Sequence, residues 1–396
     1  MKVLIAGAGI AGPTLAYWLT RYGFTSTLIE KAPGLRTGGY VIDFWGAGYE
    51  IAERMGLLPE IIRKGYEIQE VRVVNRSGRR VAGFPASTFR RVAQGRYTSL
   101  PRSDLAASIF RQIEGKVETI FGDSVAGVEQ SEAGVHVTFE RASARDFDLV
   151  VGADGLHSRV RELIFGPEAQ FEKHLGYRAA AFQVEGYRPR DELVYVIFTE
   201  VGQQVTRFAM RGDRTMFLFT FADPDAGGPD IGDVEAQKNL LRTRFGSSGW
   251  ECRQILDALG RTSDLYCDRV SQIQMDAHPG WARGRIILLG DAAFCVSLLA
   301  GQGSALAMTA AYILAGELHR AGNDYRRAFS RYQERFGPFV LKKQKAALRF
   351  AEFFAPGSGF SLFMRNQIMN LMRIPWVADL AVGRDMADRI ALPEYE

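Results

Sequence analysis

The sequence predicts an α/β protein in three parts: a Rossmann-like dinucleotide-binding unit, a β-rich second domain and a C-terminal set of helices. Three observations predict it. A short apolar strand runs into glycines at GxGxxG spacing and then into a helix, all before residue 31. Strand-like segments crowd residues 176–276, with few helical stretches between them. A second apolar strand then ends in Gly290-Asp291, and Gly301-Gln302-Gly303 heads an Ala-rich helical run. On these grounds the dinucleotide unit takes residues 1–72, 100–175 and 277–340. The β-rich domain, expected to receive a substrate, takes 73–99 and 176–276, and a helical cap takes 341–396.

Val3, Leu4, Ile5 and Ala6 form the pattern of a strand buried on both faces. Gly7 then allows the tight turn, Gly9 lets a pyrophosphate approach the backbone, and Gly12 lets the helix lie close on the strand. The helix, about Ile10 to Tyr22, directs its N-terminal N–H groups and dipole at the phosphates. Pro13 sits in its first turn, where a missing N–H costs little. Leu28-Ile29-Glu30 ends a second strand. Glu30, eighteen residues past Gly12, stands where a carboxylate accepts hydrogen bonds from the hydroxyls of an adenosine ribose. Packing alone does not ask for three glycines at one strand–helix junction. The unit says dinucleotide and leaves NAD and FAD both open.

Composition narrows the class. The 396 residues are 47% hydrophobic and 24% charged, the balance of an ordinary globular enzyme. A net charge of +4 suits anionic ligands, but no basic stripe with interleaved aromatics marks a nucleic-acid surface. Cys252, Cys267 and Cys295 show neither metal spacing nor a disulfide framework, which points to a reducing cytoplasm. The apolar start lacks the features of a signal peptide, and no window approaches the length of a spanning helix.

The remaining elements follow in order. Ala32–Tyr40 reads as a loop; Val41-Ile-Asp43-Phe leads into a helix near Gly48–Met55, which Leu57-Leu58-Pro59 ends. Val71–Asn75 and Arg80–Phe84 flank Ser77-Gly78 as a hairpin, and Arg96–Pro101 is a further strand. Arg102 opens a helix to about Gln112, with Ser103 or Asp104 as its cap. Val117–Phe121, Ser124–Glu129 and Val135–Glu140 are short strands, the last with His136 on a wet face and no evident partner. Phe147–Ala153 is a doubly buried strand before Asp154-Gly155. Tyr177–Val184, Leu193–Thr199, Gln204–Met210 and Thr215–Phe221 form the β-rich part. Most aromatics on them are ordinary core. One face is expected to cover an aromatic or polycyclic ligand, with Phe182, Phe208, Met210 and Phe219 as candidates. Arg285–Leu289 is another buried strand, and two long helices follow, Ser304 to about Arg320 and Tyr325 to about Phe350. Phe360–Leu371 and Trp376–Ile390 are amphipathic pieces, read as a cap on the domain junction in preference to a membrane-surface element.

Four stretches carry a resemblance. They are the GxGxxG unit with Glu30, Leu100-Pro-Arg102-Ser-Asp-Leu105, Val151-Gly-Ala-Asp154-Gly155-Leu-His-Ser158-Arg159-Val-Arg161, and Gly290-Asp291-Ala-Ala293 with Gly301-Gln302-Gly303 behind it. Over roughly residues 1–340 their order and spacing resemble the class A flavoprotein monooxygenases, the group of p-hydroxybenzoate hydroxylase and the tetracycline-inactivating monooxygenases. The resemblance implies that FAD is the dinucleotide. Gly7, Gly9, Ala11, Gly12, Glu30 and Lys31 would hold its adenosine and pyrophosphate end. Gly290 and Asp291 would close from the other side, the carboxylate accepting from a ribityl hydroxyl. Gly301, Gln302 and Gly303 would start a helix facing the flavin N1–C2=O edge, where N–H groups stabilise negative charge. Arg102 and Arg36 would contact the phosphate or ribityl region, Asp154 would act through the fold of its loop, and Leu298 would face flavin and substrate. Four positions depart from the family's usual residues: Phe294 for His, Leu298 for Pro, Ala305 for Asn and Ala310 for Asp.

The activity implied is hydroxylation of an aromatic or polyketide-like small molecule, antibiotics among them. NADPH or NADH is the transient reductant, O2 adds at the flavin C4a, and the hydroperoxide passes an OH to the substrate. No side-chain nucleophile and no metal is expected, since the sequence contains no Ser-His-Asp set, HExxH or CxxC. His157 and Arg159 read as structural. With no second GxGxxG for a separate NAD(P)H domain, Arg211, Arg214, Arg79/Arg80 and Arg90/Arg91 are weighed as phosphate contacts, solvated surface being preferred. Flavin-dependent halogenases are set aside because Trp18, Trp45, Trp250, Trp281 and Trp376 form no Trp-x-Trp pair. An FAD-dependent oxidase or reductase, and a flavin-fold protein that sequesters an aromatic compound without turnover, stand as alternatives. Oligomeric state is left open.

Overall fold

The computed structural model describes residues 1–36, 38–225, 232–275, 280–322, 324–383 and 390–395. Its first sheet has six strands in the order Ala282–Arg283, Ile286–Leu288, Leu149–Gly152, Lys2–Ala6, Thr25–Glu30, Glu118–Phe121. All but the edge strand Ala282–Arg283 run parallel. Parallel pairing buries both faces, which is why Leu149–Gly152 and Ile286–Leu288 are unbroken apolar runs. Helix Ala11–Arg21 makes the first crossover and packs on the long helix Gly303–Ala321. The strands deliver Gly7, Glu30, Asp154 and Gly290 at their carboxyl ends, where open α/β sheets bind ligands.

A second sheet has seven strands in the order Leu265–Ile273, Glu172–Glu185, Arg214–Ala222, Gln203–Ala209, Val194–Glu200, Glu70–Val74, Arg80–Pro85. The hairpin at Ser77-Gly78 joins it through parallel pairing of Glu70–Val74 with Val194–Glu200, so this sheet takes up the chain at Glu70 instead of 73. Side chains alternate between its faces. Phe182, Phe198, Phe217, Phe219 and Phe221 pack with Leu241, Phe245, Ile255 and Leu259. Those four come from two helices, Val234–Phe245 and Cys252–Leu259, that the reading of few helices over 176–276 left out. The other face carries Tyr195, Phe208 and Met216, clustered with Tyr40, Val41 and Tyr66 from the first half of the chain.

Several elements differ from the sequence reading. Leu57-Leu58-Pro59 does not simply end a helix: Pro59 sits in the first turn of a new one, Leu58–Lys64, where its missing N–H is harmless. Helix Arg102–Arg111 has Pro101 at its N-cap, so Ser103 and Asp104 lie inside the first turn and neither caps it. Phe147–Ala153 is two strands that part at Asp148, because Asp148 turns to accept the Lys2 N–H (2.6 Å). His136 is on a wet face as expected but does have a partner, Asp146, 2.7 Å away. The second long helix runs on to Phe354. Beyond it lie Gly359–Leu371, Pro375–Ala378 and a π-turn at Asp379–Gly383; the rest of the expected Trp376–Ile390 piece, 384–389, is outside the described residues. The C-terminal residues fold back on helix Gly303–Ala321, where the Tyr395 hydroxyl donates to Glu317 Oε1 (2.6 Å).

His157 ties the two sheets together. Its Nδ1 lies 2.8 Å from Glu168 Oε1 and its Nε2 3.0 Å from Asp268 Oδ2, on the second sheet. Hydrogen bonds with Asp268 and then Glu168 raise its pKa to about 10, so the ring is an imidazolium at neutral pH. The unfolded value is about 6.5, so this contribution to stability is complete below about pH 6.5 and is lost as the pH rises through about 10. His157→Gln should therefore melt below the parent near pH 6, with the gap closing by about pH 10. Thermal unfolding across that range checks it; a gap that does not change with pH would remove the ionic account.

Candidate functional site

The two glycine-rich turns meet at the head of the first sheet. Gly7 has φ +106°, and a Cβ there would stand 2.8 Å from Asp154 Cα, so the first turn touches the Asp-Gly loop. A Cβ on Gly12 would overlap the Gly7 carbonyl oxygen and come within 3.2 Å of Leu28 Cδ1, the close helix–strand approach this position exists for. Gly9 is different: a Cβ there would meet only Arg102 Nη2, at 3.8 Å. A guanidinium thus overhangs the one glycine of the motif with open space above it. Glu30 accepts the Ala8 N–H at Oε2 (2.7 Å) and the Ala32 N–H at Oε1 (2.9 Å). Each carboxylate oxygen keeps a lone pair for a further donor.

The second turn closes on the first. Gly290, at φ +67°, would place a Cβ 3.2 Å from the Ala11 side chain. Gly303 lies with its Cβ position 3.7 Å from Asp291 Oδ1, and Gly301, at φ +65°, lies against Trp45. Gln302 occupies the N-cap of helix Gly303–Ala321, with no side chain engaging that cap. Burial pushes the Asp291 carboxyl up, and the nearby Arg102 guanidinium opposes the shift. Arg102 is half-buried, is held by its backbone N–H to Tyr40 O (3.0 Å), and makes no side-chain hydrogen bond or ion pair among the described residues. An unpartnered cation beside a Gly-rich turn and two helix N-termini is a cradle for a pyrophosphate. Lys31 and Arg36 are exposed, and neither makes a side-chain hydrogen bond or ion pair among the described residues.

The loop after Asp154 is built by residues whose part the sequence did not disclose. Asp154 accepts from Ser158 Oγ (2.5 Å) and the Val160 N–H (3.1 Å), which folds the loop onto helix Arg159–Phe165. Arg161 is wholly buried and donates to Leu156 O (2.7 Å), Glu168 Oε2 (2.7 Å) and Ala292 O (3.0 Å). It joins the Asp-Gly loop to the Gly290-Asp291 turn, 131 residues apart between Arg161 and Ala292. Arg159 pairs with Glu162 at the surface (2.6 Å).

A polar cluster stands on the other side of the cleft. On strand Val41–Trp45 alternate residues share a face: the Val41 side chain packs on the cluster of Phe208, Met210 and Met216 of the second sheet, and Trp45 lies against Gly301. Asp43, between them, therefore sits between the second Gly-rich turn and the aromatic sheet. Its Oδ1 accepts from Ser99 Oγ (2.5 Å) and Tyr97 Oη (2.6 Å), while Oδ2 has no partner among the described residues and is not sealed from solvent. Burial pushes the Asp43 carboxyl up, against those two hydrogen bonds, and pushes the Tyr97 and Tyr195 phenols far up. Phe208 and Met210 are on this side with Met216 and Tyr66. Phe182 and Phe219 are not: they pack under the helices of the opposite face, because period-two alternation turns them away. The expectation that they line the ligand side is corrected.

The four family departures are packing positions. Phe294 is buried against Trp281 and Phe336, with ring centroids 4.9 and 5.4 Å apart. Leu298 is partly buried and packs on a cluster of Ala179, Val270 and Leu299 that Tyr177 and Phe354 also join. Ala305 meets Gly48 so closely that a Cβ on Gly48 would come within 2.6 Å of its methyl, and Ala310 is wholly buried. Ser297, just before Leu298, holds φ +140°, a conformation L-residues rarely adopt, and its Oγ accepts the Leu299 N–H (3.2 Å).

The glycines make separable demands. Gly12→Ala should cost about 2 kcal/mol or more of stability, because the helix start must move off the strand. Gly9→Ala, with no backbone strain and ordinary contact distances, should leave the urea midpoint unchanged yet weaken dinucleotide binding by about tenfold or more through lost approach. Urea melts paired with ligand titration separate the two effects.

Comparison with known proteins agrees with this geometry. The profile of the family described as FAD binding domain matches residues 1–335. A flavin-dependent monooxygenase from an unknown prokaryotic organism is 34% identical over 397 residues, covering 100% of this chain and 99% of its own. Another, from Legionella longbeachae, is 33% identical over 408 residues, covering 100% and 98%. The solved structure of tetracycline destructase Tet(55) is similar with a TM-score of 0.85 at 30% identity, covering 100% of this chain and 98% of its own. The site fits FAD on its own terms: an uncovered Gly9, an unpartnered Arg102 and a carboxylate at Asp291 beside a second helix start. The chain belongs to the FAD binding domain family and is a class A flavoprotein monooxygenase.

Proposed function

We propose that this flavoprotein uses NADPH or NADH and O2 to hydroxylate a phenolic or enolic polycyclic small molecule, held between Asp43 and the aromatic face of the second sheet. The observation that carries this reading is the position of Asp43, flanked by Val41 against Met216 and by Trp45 against Gly301. FAD, when bound, supplies reduction of O2 and transfer of oxygen. The chain's part is binding and placement. Gly9, Arg102 and the two helix starts take the phosphates, Glu30 the adenosine ribose and Asp291 the ribityl chain. Tyr97 and Ser99 both donate to Asp43 Oδ1, which leaves Oδ2 free to meet an acidic hydroxyl of the substrate. Phe208, Met210, Met216 and Tyr66 supply an apolar wall that excludes water from the reacting centre. Leu298 closes the far side with Tyr177. The substrate class is supported by the neighbour named tetracycline destructase, since tetracycline is a polycyclic enol and phenol. A pyridine-nucleotide user belongs in the cytoplasm, in keeping with three buried free thiols. Arg211 is engaged with Lys64 O and Gly65 O, Arg80 with Glu70 and Arg91 with Asp379, which leaves these arginines to structure instead of the reductant.

The FAD-loaded enzyme, given NAD(P)H and a panel of phenols and polycyclic enols, should consume the reductant faster with substrate and yield a product heavier by one oxygen. A yellow protein that binds such a compound without consuming NAD(P)H would instead be a sequestering protein. Asp43→Asn and Tyr97→Phe should lower kcat/KM by about tenfold or more while leaving FAD affinity intact. Arg102→Met should do the reverse, losing FAD first. An Asp43→Asn enzyme that loses FAD in step with activity would move Asp43 from the substrate to the cofactor.

A further inference from the structure

Helix Gly359–Leu371 is oriented against the usual rule. Its inward face buries Arg365, whose guanidinium donates to Thr199 Oγ1 and Gln204 Oε1, both at 3.1 Å. Asn370 accepts the Gly83 N–H (3.2 Å), and Met369 and Met372 pack on Val71, Val73, Ala82 and Phe84 of the second sheet. These anchors fix the helix, and what they leave outside is apolar. Phe360 is 74% exposed and Trp376 68%, and Phe363, Leu371 and Leu380 are exposed beside them. Of the fourteen large hydrophobic side chains exposed among the described residues, eight lie in 360–380. Monomers rarely show so contiguous an apolar face without a partner.

The charge around it selects the partner. Residues 353–378 contain no Asp or Glu. Asp379, the first acid after them, is paired with Arg91, whose second nitrogen donates to Pro375 O (3.0 Å). Arg373 borders the same face, held to Gly83 O at 3.3 Å, and Lys345 is exposed on the preceding helix. Two copies meeting through this face would oppose like-charged rims, because a two-fold contact sets each patch on itself. Exposed aromatics in a stretch without acids up to Asp379, itself paired with Arg91, and with Arg373 beside them are the composition of a helix lying in a lipid interface. We propose that the Gly359–Gly383 face docks this enzyme on an anionic phospholipid membrane, with Phe360, Phe363, Leu371 and Trp376 entering the acyl boundary. No helix among the described residues is long and apolar enough to cross a membrane, so the attachment is peripheral.

The test uses the full-length, FAD-loaded enzyme with vesicles of phosphatidylcholine alone and with phosphatidylglycerol added. Co-sedimentation should occur with the mixed vesicles and weaken with salt, and tryptophan emission should shift to the blue on binding, a shift that Trp376→Phe removes. Phe360→Ser and Phe363→Ser should each lower vesicle partitioning by roughly tenfold, the loss of one buried aromatic side chain. FAD content and melting temperature should be unchanged in both. The proposal is overturned by no association with either vesicle, by equal binding to the neutral ones, or by binding that the serine variants leave undiminished. A concentration-dependent dimer that those variants dissolve would overturn it as well.

Discussion

The rest of the molecule depends on the contact between two backbone turns that lie almost three hundred residues apart in sequence. Gly290 packs on Ala11, at the start of the first helix, and Gly7 packs on the Asp-Gly loop between them. A side chain at Gly7 or Gly12 would force these segments apart, and the pyrophosphate path over Gly9 exists only while they stay together. The approach concentrates partial positive charge from two helix starts at one place, and Arg102 adds a full charge there. Such a site is costly to build without an anion, which is why its geometry implies one.

Holding that geometry falls to two ionic groups away from the cleft, the buried Arg161 and the more exposed His157. Arg161 donates through both terminal nitrogens to two carbonyls and one carboxylate, so that the loop after Asp154 and the turn after Gly290 are held as one piece. His157 extends the same connection to the second sheet through Asp268. Such pairs contribute modestly to net stability, because desolvation offsets much of the attraction; their better-attested role is to fix one arrangement. Here that arrangement sets how the first sheet stands against the second, through His157 and Asp268. The departures at Phe294, Leu298, Ala305 and Ala310 fit this picture, since each replaces a polar or ring residue by one that packs.

Much of the first sheet was legible from local pattern alone. Doubly buried parallel strands announce themselves as apolar runs, and GxGxxG with Glu30 carries its own structural context. The second sheet was legible as strands but not as faces: Phe182 and Phe208 look alike in sequence, and only the register decides that one meets a helix and the other the cluster of Tyr66 and Met216. The Asp43–Ser99 pairing joins strands more than fifty residues apart, so the residue nearest the proposed substrate drew no notice as an isolated Asp. The cap expected at Ser103 or Asp104 failed because Pro101 already set the turn that starts that helix.

What the sequence by itself determined is the nucleotide-binding chemistry, because a close approach of phosphate to backbone needs glycine at fixed spacing and no other residue substitutes. The family follows from the order of its four motifs. What only the tertiary structure decided is which side chains of the second sheet pack under its helices, which lie on its other face and which face solvent. Those outcomes depend on strand register and on how Arg365 and Asn370 anchor a late helix, and they arise from contacts between segments that no local pattern relates.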